Sequence, residues 1–434
     1  MIQNYEQAER FMLNREYKLG MNFGLERMRT ALKKLGNPEK KFKSIHIAGS
    51  NGKGSTLTYL KEILLEEGYR VGSFTSPHLE KMNERIMINH EMISDEQFIL
   101  LLNKLIPVME EIEGENEENY LTYFEIVTIL SFLYFEQKKP DIALIETGLG
   151  GRLDSTNVID PLIAIITSIS MEHTNILGDT LAQIAFEKAG IIKEGITVVS
   201  GVHDEEPYKF IYDKAKEMNA DLYTLGKEFR VTASEHEQDD ERFALKWKDG
   251  GLTDLVIKMF GQHQIENASL AILSALFLNE KYNLSVSEKS IRTGLMNARW
   301  SGRFEKISDK PLTILDGAHN IAGVEALIHT IKSRYPGRQV HFLLAVLRDK
   351  DYKNMIAELD QVAASITFTE FTMDRCCEAE ELYRNSKNQH KDMEKDWKNA
   401  VDKIQGKLDN KAIFIVAGSL YFLALVRPYL LHKK

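Results

Sequence analysis

Between an apolar run, KSIHIAG, and a helical one, STLTYLKEILLEEG, lies the glycine-rich stretch GSNGKGST at 49–56. Strand, glycine turn, helix: that order narrows the choice of folds sharply. The N–H groups of such a turn and the positive end of the helix face one point, where a phosphate fits. The usual phosphate loop reads G-x-x-x-x-G-K-[ST]. Here Gly49 lies too near the Gly52–Lys53 pair, Gly54 follows the lysine, and the Ser55 hydroxyl arrives one place late. Lys53 would reach terminal phosphates, and Ser55 or Thr56 could face a magnesium ion. The plainer reading, a simple strand-to-helix turn, does not call for three glycines flanking a lysine.

The rest of the chain repeats the alternation. Residues 141–148 (DIALIETG), 161–169 (PLIAIITSI) and 196–201 (ITVVSG) are continuous apolar runs, as in parallel strands covered on both faces. Helical runs separate them, so a doubly wound α/β sheet is expected. Residues 229–258 differ: short alternating segments around acidic loops predict an antiparallel hairpin region at the sheet edge. Residues 263–278 read as a helix. After Trp300 a second α/β pattern begins, with strands LTILDG, VHFLLAV, SITFTE and AIFIVAG and a helix from Ile321. With 434 residues, two domains are expected. The boundary falls at 297/298, giving an ATP-binding domain over 1–297 and a smaller Rossmann-like α/β domain over 298–434. The charged run 387–398 reads as a solvated helix face.

Composition narrows the function. A formal net charge of −9 argues against nucleic acid as the main partner, because phosphate backbones want a basic face. The two cysteines, Cys376 and Cys377, are adjacent, and neighbours rarely bridge each other. The most apolar stretch, 412–426, is shorter than a membrane helix needs and is interrupted by Gly418 and Ser419. It reads as a strand followed by a helix. The N-terminus has no apolar signal core, so a cytoplasmic protein without a membrane partner is expected.

Further candidates follow the strands. Glu146 closes an apolar strand, at the rim where open α/β sheets bind ligands, and a carboxylate there suits Mg²⁺. The alternative is a glycine-rich connection, 148–151, with Asp154 as a helix cap. Glu172 and His173 sit past the next strand on the same rim, although a lone histidine is more often structural. Ser76, in TSPHL, could offer a metal hydroxyl. Lys188, in FEKAG, is otherwise a surface lysine. In the second half, Asp316 and His319 follow a strand in LDGAHN, and Arg303 in WSGRFE could pair with a nucleotide phosphate or cap a helix.

In combination, HIAGSNGKGST, TSPHL, ETGLGGRLDSTN, EHTNILGDT, EKAGIIK, GQHQIENA, GRFE and LDGAHN resemble the folylpolyglutamate synthases, including the bifunctional dihydrofolate synthases, within the wider Mur ligase superfamily. The motifs stand in the family's order and cover most of the chain. The family places a glycine between the lysine and serine of its loop, unlike the cell-wall ligases. The resemblance implies an ATP-dependent ligase that adds L-glutamate to folates, and also to dihydropteroate, through an acyl phosphate. A cell-wall-type ligase and a nucleotide-dependent binding protein without ligase chemistry are the alternatives.

The roles implied by the resemblance are specific. Gly49, Ser50, Asn51, Gly52, Lys53, Gly54, Ser55 and Thr56 hold ATP, with Asn267, Arg303 and Asp316. Ser76 and Glu146 bind one Mg²⁺, and His173 a second. Lys188 matches a carbamylated lysine, and His319 a residue near the catalytic cleft; with Lys53 these form the catalytic set. Thr122, Phe124, Leu153 and Asp154 lie where the family binds the pterin, although Phe124 could equally be packing. A monomer without nucleic-acid partners is implied. At 369–381 the chain departs from its relatives, which carry an arginine- and proline-containing segment there; Arg375 could replace that arginine.

Overall fold

The computed structural model describes residues 1–19, 22–114, 119–236, 240–248, 250–409 and 411–432. The first sheet is built from β1 (Ser44–Ala48), β2 (Val71–Phe74), β3 (Ile86–Ile88), β4 (Glu91–Met92), β5 (Ile142–Glu146), β6 (Ile163–Ile166), β7 (Thr197–Ser200) and β8 (Asp221–Thr224). Their order is β4-β3-β2-β5-β1-β6-β7-β8. The β2 to β8 stretch of that order is parallel, while β3 and β4 add an antiparallel edge. β1, β5 and β6 are buried along their whole length, which is why they read as unbroken apolar runs instead of alternating ones.

The helix after the glycine turn runs Lys53–Glu66, two residues earlier than its apolar pattern suggests. It is buried between the sheet and the helices Gln262–Tyr282 and Glu288–Asn297. Its Ile63 and Leu64 share one core with Ile45, Ile47 and Ile165. The turn is thus set between a rigid strand and a rigid helix.

Residues 229–257 form β9 (Phe229–His236), β10 (Glu241–Trp247) and β11 (Gly250–Ile257). They are antiparallel, as expected, but make a separate three-stranded sheet instead of extending the edge of the large one. Phe243, Leu245, Leu255 and Ile257 point into the core around the helix Gln262–Tyr282, so this sheet packs by side chains and not by backbone pairing. Part of its acidic loop, 237–239, and residue 249 lie outside the described residues.

The second large sheet comprises β12 (Glu305–Asp309), β13 (Leu312–Asp316), β14 (Val340–Ala345), β15 (Ser365–Glu370), β16 (Lys391–Asp396) and β17 (Ile413–Gly418), in the order β12-β13-β17-β14-β15-β16. Only β12 is antiparallel. β16 corrects the expectation for the charged run: KDMEKD is an edge strand, and the helix begins only at Trp397. Lysine and acidic side chains on an edge strand prevent pairing with another chain. The apolar stretch 412–426 is β17 and the start of the helix Leu420–His432, as expected. Cys376 and Cys377 are buried free thiols. Among the described residues no helix is long and apolar enough to cross a membrane.

Candidate active site

The C-terminal ends of β1, β5 and β6 form one rim, and the glycine turn lies on it. Gly52 has φ +86, a left-handed conformation that favours glycine, and a Cβ there would meet Asn267 Oδ1 at 2.2 Å. A Cβ on Gly54 would meet the Trp300 indole at 2.9 Å. The extra glycine that displaces the serine therefore admits an indole from the segment leading into the second sheet. Residues 167–170, leaving β6, brace the turn. Thr167 and Ser168 hydroxyls donate to Asn51 O at 2.6 and 3.1 Å, and Ser50 Oγ donates to Ser170 O at 3.1 Å. Lys53 Nζ donates to Gly49 O at 2.7 Å. Thr56 Oγ1 donates to Asn267 Oδ1 at 3.4 Å, and Ser55 Oγ accepts from Gln264 Nε2 at 3.3 Å. The eight turn residues and Asn267 are thus one unit.

Glu146 ends β5 and is buried. Ser76 N donates to its Oε2 at 3.4 Å, so the two residues expected to share a cation do meet. Burial pushes the carboxyl up to about 7, against the pull of Lys53, the Ser76 N–H, Arg303 and Arg85. A buried carboxylate with one long hydrogen bond beside a serine is a donor set that fits a hard divalent cation. Among the described residues no three His, Cys, Asp or Glu side chains gather into a metal cage. Mg²⁺ needs none, since it takes one or two carboxylates together with substrate phosphates and water.

His173 adopts φ +44 at the start of the short helix Thr174–Leu177. Lys350 Nζ, from the loop after β14, lies 3.2 Å from its Nε2. Burial, then the Lys350 charge, lowers the His173 pKa, so the ring is neutral and accepts this bond. Lys188, on the helix Leu181–Ala189, is no surface lysine: it is 1% exposed and its Nζ sits 2.7 Å from Glu172 Oε1. Burial lowers its pKa. Burial works upward on Glu172, but the ammonium groups of Lys188 and Lys53 outweigh it and hold the carboxyl at about 2.

From the second sheet, Asp316 ends β13 and accepts from Phe304 N and Ala318 N, both at 2.9 Å. Burial raises its pKa against the nearby Arg303 charge. Arg303 caps no described helix; its Nη1 donates to Gly317 O at 3.3 Å. His319 Nδ1 lies 2.8 Å from Gly317 O, which makes Nδ1 the protonated nitrogen and leaves Nε2 as an acceptor. Burial, then Arg303 and Lys350, bring its pKa to about 4.

A cleft of about 530 Å³ opens between the two sheets, lined by Ser76, Arg85, Thr122, Tyr123, Phe124, Leu153, Asp154, His173, His319, Lys350, Arg375 and Tyr421 among others. Thr122 and Glu125 form a reciprocal cap that starts the helix Tyr123–Lys138. Phe124 packs on Phe74 at 5.8 Å and covers Gly148, where a Cβ would lie 2.5 Å from its ring; it is both packing and cleft wall. Asp154 caps no helix. Its carboxylate accepts from Leu149 N at 2.8 Å and Thr156 N at 3.0 Å, and Thr156 Oγ1 is in turn tied to His46 Nε2 at 2.8 Å. That network fixes Leu153 at the cleft. Arg375, from the divergent segment, stacks 6.0 Å from the Tyr421 ring centre on the cleft wall.

Comparison with known proteins identifies the family. The family patterns described as Mur ligase middle domain and Mur ligase, glutamate ligase domain match residues 47–275 and 302–420. The dihydrofolate synthase/folylpolyglutamate synthase of Bacillus subtilis is 40% identical over 431 residues, covering 99% of this chain and all (100%) of that one. The chain belongs to the folylpolyglutamate/dihydrofolate synthase family of Mur ligases. The folylpolyglutamate synthase of Lacticaseibacillus casei is 33% identical, with 94% of each chain covered. Among solved structures of this ligase family, the Thermotoga maritima folylpolyglutamate synthase superposes with a TM-score of 0.85 at 35% identity, covering 99% of this chain and 97% of that one. Escherichia coli FolC in complex with DHPP and ADP does so with a TM-score of 0.89 at 29% identity, over 99% and 98%.

Three residues of the site escaped sequence reasoning. Lys350 follows β14 in LRDKD, and the strand-end rule that selected Glu146 applies equally there. Trp300 was marked only as a boundary. Arg85 stands among ordinary charged residues in NERIMI, and only the fold shows that it is buried.

Proposed function

We propose that the protein joins L-glutamate to the carboxylate of a folate, and of dihydropteroate, using ATP. One observation carries the reading: Thr122, Phe124, Leu153 and Asp154 share a single cleft with Ser76, His173 and His319. An apolar seat for a pterin and a phosphate-handling rim therefore open on the same space. Escherichia coli FolC, so similar in fold, was solved with DHPP and ADP together.

A carboxylate does not accept an amine directly, because oxide is too poor a leaving group. The γ-phosphoryl group of ATP passes to the acceptor carboxylate, giving an acyl phosphate and ADP. The α-amine of glutamate attacks the acyl carbon, the bond to phosphate breaks, and an amide remains after the amine sheds a proton. Lys53 would turn from Gly49 O to the transferring phosphoryl oxygens, where a positioned cation stabilises developing charge. Asn267, Arg303 and Asp316 would hold the nucleotide, and neutral His319 would present Nε2 to the reacting end. Lowered by burial, the Lys188 amine has access to its neutral form, which adds CO2 to give a carbamate and a proton. Two Mg²⁺ ions, one held by Ser76 and Glu146 and the other by His173 and the Lys188 carbamate, would offset phosphate charge. Residues 1–297 and 298–434 would act as two domains closing over the cleft to exclude water. The working form in this reading is a cytoplasmic monomer.

The test gives purified protein Mg²⁺-ATP and L-glutamate with either dihydropteroate or a reduced folate. ADP, phosphate and a glutamylated product are expected with each, falling ~100-fold or more in Lys53→Ala. Product from the folate alone would restrict the activity to folate extension. Product from neither, with turnover of a muramyl precursor, would overturn the reading.

A further inference from the structure

Arg85 is a buried cleft cation that the proposed chemistry leaves without a task. It ends the short turn Met82–Arg85 and is 6% exposed. Its Nε donates to His78 Nδ1 at 2.9 Å, and its guanidinium lies over the Tyr123 ring, 5.3 Å from the centre. His78 accepts that bond as a neutral ring, because burial and then the Arg85 charge bring its pKa down to about 3. The two contacts orient the plane of the guanidinium but leave both terminal nitrogens over. Among the described residues neither terminal nitrogen makes a hydrogen bond, and no carboxylate stands within ion-pair distance. Yet the side chain lines the same cleft as Ser76 and Thr122. Taking a cation out of water without an anion is costly, so such a group calls for an anionic ligand. Glu146 is near enough to feel the charge, though less than it feels burial and Lys53, and the two form no ion pair.

We propose that Arg85 seats the reacting carboxylate of the acceptor, in a two-pronged pair between the pterin end of the cleft and the phosphate loop. A guanidinium fork matches a carboxylate in shape and charge. One fixed fork at this point would serve the benzoate of dihydropteroate and the γ-carboxylate of a folate alike, leaving the pterin to shift. The inference rests on the acceptor proposed above.

The experiment compares dihydropteroate with its carboxamide, which differ only in the charge at the reacting end, by pterin fluorescence without ATP. Wild type should bind the acid about 10- to 100-fold more tightly than the amide. Arg85→Gln should bind both alike, with its KM for ATP moved by less than about threefold. Arg85→Lys, which keeps the charge but not the fork, should fall between, and it carries the test if the glutamine variant melts early. Retained preference for the acid in Arg85→Gln, equal loss of acid and amide, or a loss confined to ATP would each overturn the assignment. Wild type that binds ATP but neither pterin would refute the proposed function, and this inference with it.

Discussion

At the residue scale, Glu146 works against the fold that carries it. Its carboxyl, ordinarily at 4.5, is pushed to about 7 by burial even with Lys53 pulling the other way. Between those values the unfolded chain releases a proton that the folded chain keeps. Stability therefore falls as pH rises from about 4.5 to about 7 and stays low above it, a loss on the order of 3 kcal/mol. Glu146→Gln removes that penalty while removing the proposed Mg²⁺ ligand. Without nucleotide, the variant should melt a few degrees above wild type at pH 8 and together with it at pH 4, while ligase turnover is lost. A melting temperature at pH 8 no higher than wild type would mean that the carboxylate is already compensated in the fold. Lys188 differs in degree, because Glu172 at 2.7 Å offsets part of the cost of its burial, although burial still lowers its pKa.

At the scale of elements, the glycine turn was legible because strand, turn and helix each carry their own signal: five buried residues in β1, a left-handed Gly52, and an apolar helix. The Ser76–Glu146 approach was legible too, since strand ends share one rim in a parallel sheet. Two element readings failed for a common reason. Periodicity reports burial and not pairing, so β16, whose six residues are nearly all charged and mostly exposed, gave no strand signal. For β9 to β11 the alternation was right, but it could not say which sheet the strands join. Why Gly54 follows the lysine was also hidden, because Trp300 reaches it from 246 residues away in sequence. Gly54→Ala tests that contact. The helix should tolerate alanine, which favours helices over glycine by about 1 kcal/mol, but the Cβ must displace the indole. Trp300 fluorescence should shift and the KM for ATP should rise; an unchanged spectrum with unchanged KM would show that the indole yields freely.

On the scale of the whole molecule, one helix of the second large sheet reaches the N-terminal half at both of its ends, the small three-stranded sheet at one and the glycine turn at the other. Ile321–Arg334 has 14 residues, a span of roughly 21 Å. At its far end the side chain of Arg334 is 3% exposed and pairs with fully buried Glu241 at 2.9 Å, its guanidinium 3.8 Å from the Phe260 ring centre. Glu241 also accepts from Gly261 N at 2.9 Å. At its near end Asn320 caps the helix by accepting from Gly323 N at 2.8 Å, and its amide donates to Asn51 Oδ1, in the phosphate loop, at 3.1 Å. The first contact is a buried ion pair, and removing one partner of such a pair costs about 3–5 kcal/mol because a charge is left behind. The second is a neutral bond worth about 1 kcal/mol, weak enough to be remade in the proposed closure. The ends should therefore separate by variant. Arg334→Met should lower the melting temperature strongly while leaving the KM for ATP of the folded fraction near wild type. Asn320→Ser keeps a capping oxygen but loses the arm to Asn51, so it should melt close to wild type while its KM for ATP rises by about three- to tenfold. The reverse pattern, a melting loss in Asn320→Ser with ATP use intact, would make the amide pair a structural brace and leave the loop uncoupled from the second sheet.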